Sequence, residues 1–318
     1  MPNPGTIDRN RFEVVKRLDP RRFTVSAFAN TYDFPKHIIP IPSSSKVNAV
    51  AKILAFNPDI IHTRGWPRCL IMRYLVRLRK LRSKHVFTLH GMPEENWLWG
   101  KKLATDADVV TCVSRNTADL AKREYGVDSV VIYNGINTGF FRPEKHHNER
   151  LRILFVGRYV GFKGSHLVVQ LAKYFPECDF AMYGRGDPSS LIAETAKVKN
   201  VKVNAPVPHE KMRWIYANSD ILLFPSVREG FSNVILEALA CGLPVVCFDT
   251  SSFREAVEHG KSGLLSSSFG EMKIHLEYLI NDEEARRKFS ENARRNALEF
   301  DWSVIAPQWS KLFEQVVT

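Results

Sequence analysis

Short apolar runs alternate with stretches of helical periodicity along most of the chain. The runs are rich in β-branched and aromatic residues, and turn residues bound most of them, so each run predicts a short strand. In the first half the predicted strands are 23–29, 38–41, 59–62, 85–89, 109–113 and 129–132. The predicted helices between them are 11–18, 46–56, 69–82 and 116–125. Strands that alternate with helices predict a parallel sheet that is covered on both faces.

A second alternating series follows the polar, proline-containing segment 142–150, which we interpret as a linker. The predicted strands of this series are 151–156, 180–183, 201–203, 221–224 and 245–248. The predicted helices are 166–174, 210–217 and 233–240, and the tail 271–317 has apolar residues at helical spacing. The sequence therefore predicts two α/β domains.

The segment 228–244, REGFSNVILEALACGLP, predicts a loop, a helix and a turn in front of a strand. Ser232 suits the N-cap of that helix, and Gly242 suits its end. Glu229 and Glu237 lie on either side of the predicted helix start. The start of a helix favours the binding of phosphate, whereas carboxylates repel it. Glu229 and Glu237 therefore need a different binding partner. We expect them to accept hydrogen bonds from sugar hydroxyls.

Two further loops follow predicted strands in the second half. Arg158 and Lys163 come after 151–156, and Gly184 comes after 180–183. Because ligands in open α/β sheets bind beyond the carboxyl ends of the strands, the two cations could neutralise a diphosphate. The alternative is that both are solvated loop residues, and a lone Gly-x-Gly loop is equally compatible with a structural turn.

Composition adds limits to this picture. The chain has 318 residues, 44% of them hydrophobic and 25% charged, which is typical of a soluble globular protein of about two domains. No apolar run approaches the ~20 residues that span a bilayer, and no signal peptide is recognisable, so we expect a cytoplasmic protein. The five cysteines have no disulfide or metal-ligand spacing, which favours buried thiols.

The positive charge is concentrated in one half of the chain. Residues 1–150 contain 25 Lys and Arg against 14 Asp and Glu, whereas residues 151–318 contain 20 of each class, and the net charge of the chain is +11. This asymmetry predicts that the first domain faces an anionic partner. A membrane surface, an anionic acceptor and nucleic acid all fit.

Several motifs match one family as a set. In the second half they are FVGR, FKG, YGRGD, SDILLFPSVREGFSNVILEALACGLPVV and GKSGLL, in the first half PDIIH, TLHG and VIYNGINTGFFRP, and in the tail FDWSVIAPQW. Together they resemble the large family of retaining glycosyltransferases with the GT-B fold, family 4 type. The resemblance implies two Rossmann-like domains that face a cleft, residues 1–145 and 146–300. It also implies a C-terminal helix, 301–318, that crosses back onto the first domain.

The resemblance also implies roles for matching residues. Arg158 and Lys163 would hold the donor diphosphate, Glu229 would contact the donor sugar and Glu237 the ribose hydroxyls. The other candidates on the donor side are Gly157, Gly184, Val207, Gly230, Phe231, Ser232, Asn233 and Val234. Fixed cations suit this reaction because a departing nucleoside diphosphate builds up negative charge. We expect no cofactor besides the nucleotide sugar, and UDP, GDP and ADP donors all stay open.

Candidates on the acceptor side lie in the first half. His90, in the TLHG motif, occupies the position of a crevice residue near the reacting sugar in the family. The family normally opens with an apolar strand and a glycine loop, but this chain begins directly at MPNPGT, so Gly5 and Thr6 would stand for that loop. Either the sheet lacks an expected strand or the sequence is truncated upstream.

The pattern of apolar and basic residues from Arg68 to Lys84 predicts a basic amphipathic helix. Its apolar face suits the cover of the sheet, and its basic face suits an anionic lipid surface. The pair Asp106 and Asp108 resembles a metal-binding Asp-x-Asp motif, but we expect it to precede the strand 109–113 and we predict no metal site.

These observations lead to one functional hypothesis and its alternatives. We expect a metal-independent retaining glycosyltransferase, peripheral at the inner face of a membrane, that moves a sugar from a nucleotide donor to a hydroxyl of a lipid-linked acceptor or anionic glycan. The alternatives are a sugar-nucleotide epimerase and a non-catalytic or nucleic-acid-binding relative. The helix 68–84 has few aromatic residues between its cations, so we expect no nucleic-acid partner.

Overall fold

The computed structural model describes residues 9–28, 35–41, 46–64, 82–91, 97–144, 148–250 and 252–318. The chain divides into two compact units. Unit 1 consists of Met1–Gly135 and Trp302–Thr318, and unit 2 consists of Ile136–Asp301. Most of the predicted basic helix 68–84 and both Gly5 and Thr6 lie outside the described residues.

Helices and strands alternate in both units. The elements of unit 1 are α1 (Arg9–Val15), β1 (Val25–Phe28), β2 (Ile38–Ile41), α2 (Lys46–Phe56), β3 (Ile60–Arg64), β4 (Lys84–Leu89), α3 (Trp97–Thr105), β5 (Val109–Cys112), α4 (Arg115–Tyr125) and β6 (Val130–Val131). Those of unit 2 are β7 (Arg152–Val156), α5 (Ser165–Ala172), β8 (Asp179–Tyr183), α6 (Ser189–Thr195), β9 (Val201–Asn204), α7 (His209–Ala217), β10 (Ile221–Phe224), α8 (Asn233–Ala240), β11 (Val245–Phe248), β12 (Gly263–Ser266), α9 (Phe269–Asn281) and α10 (Glu283–Leu298). Unit 1 is completed by α11 (Trp302–Val317).

The sheet of unit 2 is parallel throughout, in the order β12-β11-β10-β7-β8-β9. Its central strand β7 is apolar on both faces because helices cover both faces, and Ile153, Leu154 and Phe155 are fully buried. The chain runs outwards from β7 to β9 on one side and from β10 to β12 on the other. The order therefore reverses between β7 and β10, which is where open α/β sheets bind ligands.

Unit 1 contains a parallel four-stranded sheet, β3-β4-β5-β6, and a separate parallel pair, β1-β2. The C-terminal helix α11 packs within this unit. Its residues Trp302 and Trp309 share a buried cluster with Val14 of α1 and Val86 of β4. Among the described residues, none of the helices is both long enough and apolar enough to cross a bilayer.

Candidate functional site

Two loops of unit 2 meet beyond the switch between β7 and β10, and an ion pair joins them. The Nζ of Lys163 donates to Oε1 of Glu229, and both side chains are half-buried. The hydroxyl of Ser226 lies 3.2 Å from the same Oε1. The charge of Glu229 is therefore balanced inside the site, and its repulsion of a bound phosphate is weakened.

The loop that contains Lys163 is held tightly against the end of β10. A short 3-10 turn, Gly161–Lys163, precedes α5, and Gly164 between them has a φ of 69°. A side chain on Gly164 would overlap the carbonyl oxygen of Pro225. The backbone N of Val227 donates to the carbonyl of Phe162 at 3.0 Å, so the two loops are also joined through the main chain.

Arg158 is an exposed cation of the site. Its guanidinium lies 5.2 Å from the ring centroid of Phe162, and the Nζ of Lys163 lies 5.6 Å from the same ring. The aromatic face attracts both cations, which places them on one side of the switch point. The reading of Lys163 as a solvated loop residue is wrong, because this side chain is half-buried and paired.

The helix that follows the second loop begins as the sequence predicted. Ser232 is the N-cap of α8, its hydroxyl accepts from the backbone N of Ile235 at 3.4 Å, and Gly242 has the left-handed backbone that ends the helix. The side chain of Phe231 is buried, whereas Gly230, Asn233 and Val234 are half-buried. The ring of Phe231 packs against that of Phe300, with centroids 5.6 Å apart.

Glu237 lies one turn into α8 and is 8% exposed, so it is no solvated surface charge. Its Oε1 lies 2.9 Å from Nε2 of His209, the first residue of α7. The phenol of Tyr216 is fully buried, and burial, followed by the neighbouring Glu237, raises its pKa well above the usual value. Sequence reasoning missed His209, because a single histidine after a proline has no pattern that points to a carboxylate 28 positions away.

The glycine candidates at the strand ends lie close together. Gly157 follows β7, and Gly184 follows β8. A side chain on Gly184 would overlap the carbonyl oxygen of Gly157, which explains the glycine at position 184 structurally. Val207 is half-buried in the connection from β9 to α7. The structure brings Lys163, Glu229 and Ser226 into direct contact, while Glu237 forms a second cluster with His209.

His90 lies in unit 1, where it directly follows β4 and is half-buried. Two other histidines on that sheet are bound to threonine hydroxyls. The Nε2 of His62 lies 2.7 Å from Oγ1 of Thr88, and the Nε2 of His85 lies 2.6 Å from Oγ1 of Thr63. Burial lowers the pKa of His85 to about 4 and lowers that of His62 well below 6.5, with smaller effects of nearby charges.

The Asp-x-Asp segment has a structural role at its second residue. The Oδ2 of Asp108 accepts from the backbone N of His85 at 2.8 Å, just before β5 begins. In unit 2, a separate cavity of about 490 Å³ is lined by Asp249, Arg254, Val257, Glu258, His259, Leu265, Ser267 and Glu271. None of the described candidate residues is among those that line it.

Two glycosyltransferase families match successive parts of the chain. The family described as Glycosyl transferases group 1 matches residues 138–296, and the one described as Glycosyltransferase Family 4 matches residues 10–140. A D-inositol 3-phosphate glycosyltransferase of Corynebacterium efficiens is 30% identical over 305 residues, covering 82% of this chain and 72% of the relative.

Two solved structures have the same fold at lower sequence identity. Sucrose-phosphate synthase from Thermosynechococcus elongatus superposes with a TM-score of 0.84 at 19% identity, over 96% of this chain and 92% of that one. HepE of Anabaena, in complex with UDP-glucose, superposes with a TM-score of 0.81 at 19% identity, over 99% of this chain and 97% of that one.

Proposed function

Because the chain belongs to the glycosyl transferases group 1 family, we propose that it transfers a sugar to a hydroxyl with retention of the anomeric configuration and without a metal ion. The chain is a glycosyltransferase that uses a nucleotide sugar, and it has the GT-B fold that its motifs predicted.

The observation that supports the proposal most directly is the ion pair between Lys163 and Glu229 at the switch point of the sheet. An ammonium group has three N–H donors, so Lys163 can donate to Glu229 and still donate to phosphate oxygens. The pair fixes a cation beside a carboxylate that can accept hydrogen bonds from hydroxyls. A sugar attached to a diphosphate requires both, because its phosphates are anionic and its hydroxyls donate hydrogen bonds.

Arg158 and Lys163 would stabilise the leaving group. When the bond between the anomeric carbon and the diphosphate breaks, negative charge develops on the phosphate oxygens, and two fixed cations stabilise it. In this scheme the protein supplies the positive charge that a metal ion would otherwise provide. The acceptor oxygen bonds to the anomeric carbon on the face that the diphosphate leaves, and the hydroxyl proton passes to the departing phosphate oxygen. The anomeric configuration is therefore retained.

The two carboxylates would orient the donor. Glu229 accepts from hydroxyls of the sugar, and Glu237 accepts from hydroxyls of the ribose. The backbone amides of Gly230 and Phe231, at the start of α8, contribute further donors where the dipole of the helix favours phosphate. His90 would contact the sugar or the acceptor, as predicted from the TLHG motif.

The charge distribution supports an anionic acceptor, because residues 1–150 hold the whole positive excess of the chain. The relative from Corynebacterium efficiens is named for a phosphorylated inositol acceptor, which agrees with this chemistry. We extend the proposal to lipid-linked acceptors and to anionic glycans. In the lipid-linked case, the basic segment 68–84 would bind an anionic membrane surface.

The test begins with the donor. Titration calorimetry with UDP, GDP and ADP, each in EDTA, should reveal binding of at least one nucleotide. The matching sugar nucleotide is then incubated with candidate phosphorylated acceptors, and NMR of the product reports the anomeric configuration. An inverted product would contradict retention, activity that EDTA abolishes would contradict metal independence, and no binding of any nucleotide would contradict the donor site.

A further inference from the structure

A hydrogen bond between His209 and Glu237 is built into unit 2. A carboxylate only accepts hydrogen bonds, so the Nε2 of His209 donates to Oε1 of Glu237 over 2.9 Å. The two residues come from different helices, α7 and α8, and Glu237 is only 8% exposed. A nearly buried carboxylate requires donors, and His209 supplies one of them.

The ring of His209 is itself held by two aromatic side chains. Phe140 lies parallel to it, with centroids 6.1 Å apart and an interplanar angle of 10°. Phe141, which is 2% exposed, meets it edge-on at 5.1 Å and 83°. The guanidinium of Arg213, one turn further along α7, lies 5.7 Å from the ring of Phe140. These contacts fix both the position and the tilt of the imidazole.

A fixed donor restricts the carboxylate that it binds. The side chain of a glutamate has three rotatable bonds, and ordering it at the moment of ligand binding weakens affinity. The bond from His209 occupies one carboxylate oxygen before any ligand arrives. The fully buried phenol of Tyr216 lies near enough to Glu237 for the carboxylate, after burial, to raise the pKa of the phenol.

We infer that His209 is a positioning residue that holds the carboxylate of Glu237 in the orientation that accepts hydrogen bonds from the ribose hydroxyls of the donor nucleotide. This inference rests on the proposed function, in which Glu237 binds the ribose. His209 acts through Glu237 and not on the reacting sugar, so it governs the affinity for the nucleotide.

The experiment compares nucleotides with and without ribose hydroxyls. Titration calorimetry measures the dissociation constants of UDP, GDP and ADP, and of their 2′,3′-dideoxy counterparts, for the full chain. The variants are His209→Phe, which keeps a ring for Phe140 and Phe141 but has no donor, and His209→Gln, whose amide can donate to Glu237. Lys211→Gln, an exposed position on the same helix, is the matched control.

The expected result is selective. His209→Phe should weaken binding of the ribonucleotide about tenfold, the size of one hydrogen bond to a charged group, and change binding of the dideoxy nucleotide less than about twofold. His209→Gln should recover most of that loss, and Lys211→Gln should bind like the wild type.

Equal weakening of both nucleotides by His209→Phe would overturn the inference, since a general structural defect does not distinguish them. A wild type that binds ribonucleotides and dideoxynucleotides equally would overturn it as well, while leaving the nucleotide-sugar function standing. A wild type that binds no nucleotide would overturn the proposed function itself, and the inference with it.

Discussion

Lys163 and Glu229 form a half-buried ion pair that joins the loop after β7 to the loop before α8. Ser226 adds a hydroxyl at 3.2 Å from the shared carboxylate oxygen. The site thus contains matched charges before a donor binds. Removal of one partner would leave the other charge half-buried and uncompensated.

Lys163→Ala is expected to impair transfer, because Lys163 lies at the proposed diphosphate site as well as in this ion pair. We expect kcat/KM to fall about 100-fold or more, because the variant loses a cation that meets the charge of the leaving diphosphate. Steady-state transfer assays with the identified donor measure this. The control is Lys197→Ala, which removes an exposed lysine from the same unit. Wild-type turnover of Lys163→Ala would contradict the assignment of the site.

Gly164→Ala should destabilise the loop that contains Lys163. The left-handed backbone alone costs about 1–2 kcal/mol for a residue with a side chain, and the overlap with the Pro225 carbonyl adds to that. Urea unfolding gives the stability, and nucleotide titration gives the effect on the site.

Gly161→Ala provides the matched control for this loop. A side chain at Gly161 would meet nothing within 4 Å, and this glycine lies only three positions before Gly164. We expect Gly161→Ala to unfold within about 0.5 kcal/mol of the wild type. Equal stability of the two variants would show that the close approach to Pro225 does not constrain the loop.

Two histidines of unit 1, His85 and His62, should make the protein sensitive to mild acid. His85 has a pKa lowered to about 4 by burial, and that of His62 is also lowered. Below pH 6.5 the unfolded chain binds protons that these rings do not bind in the folded state, so the free energy of unfolding falls with falling pH. The full contribution of the two histidines to the free energy of unfolding is present above pH 6.5.

The free energy of unfolding is expected to change by at most about 1.4 kcal/mol per pH unit for each histidine. Urea unfolding at several values between pH 5.5 and 7.5 measures it, in a window where most carboxylates stay ionised. His85→Gln keeps a polar group near Thr63 but does not titrate, so the slope should decrease in that variant. An unchanged slope would contradict the role of His85.

Trp309→Ala should strongly destabilise unit 1. Trp309 is 5% exposed, and its ring lies 4.9 Å from that of His62, between centroids. Loss of a large buried aromatic side chain costs about 3–5 kcal/mol. Trp214→Ala, at a position that is 60% exposed, serves as the control for urea unfolding and should cost far less. Similar losses in both variants would contradict the packing of α11.

Elements with clear local signals were predicted well. The helix Asn233–Ala240 has an N-cap serine and an ending glycine, and the strand Val245–Phe248 is a bounded apolar run, so both agree with the structure residue for residue. Gly263–Ser266 was missed because it has only two apolar residues and becomes a strand by pairing with β11. Tertiary pairing, absent from any local window, supplied that element.

Some features of the candidate site could likewise be predicted from the sequence, and others could not. Lys163 and Glu229 follow strands and stand beside glycines, so their positions at the edge of the sheet could be predicted. Their direct pairing could not, because it depends on the order of β7 and β10 in the sheet. His209 had no signal at all, since its partner and its two aromatic neighbours come from distant parts of the chain.

The packing of α11 also determines when each unit can complete its fold. Unit 2 is one continuous segment, and its first and last residues, Ile136 and Asp301, form a parallel bridge, so all of its sequence is available once residue 301 is made. Unit 1 requires Trp302, Ile305 and Trp309 for its buried cluster. During synthesis from the amino terminus, the unit that begins first is therefore the one that finishes last.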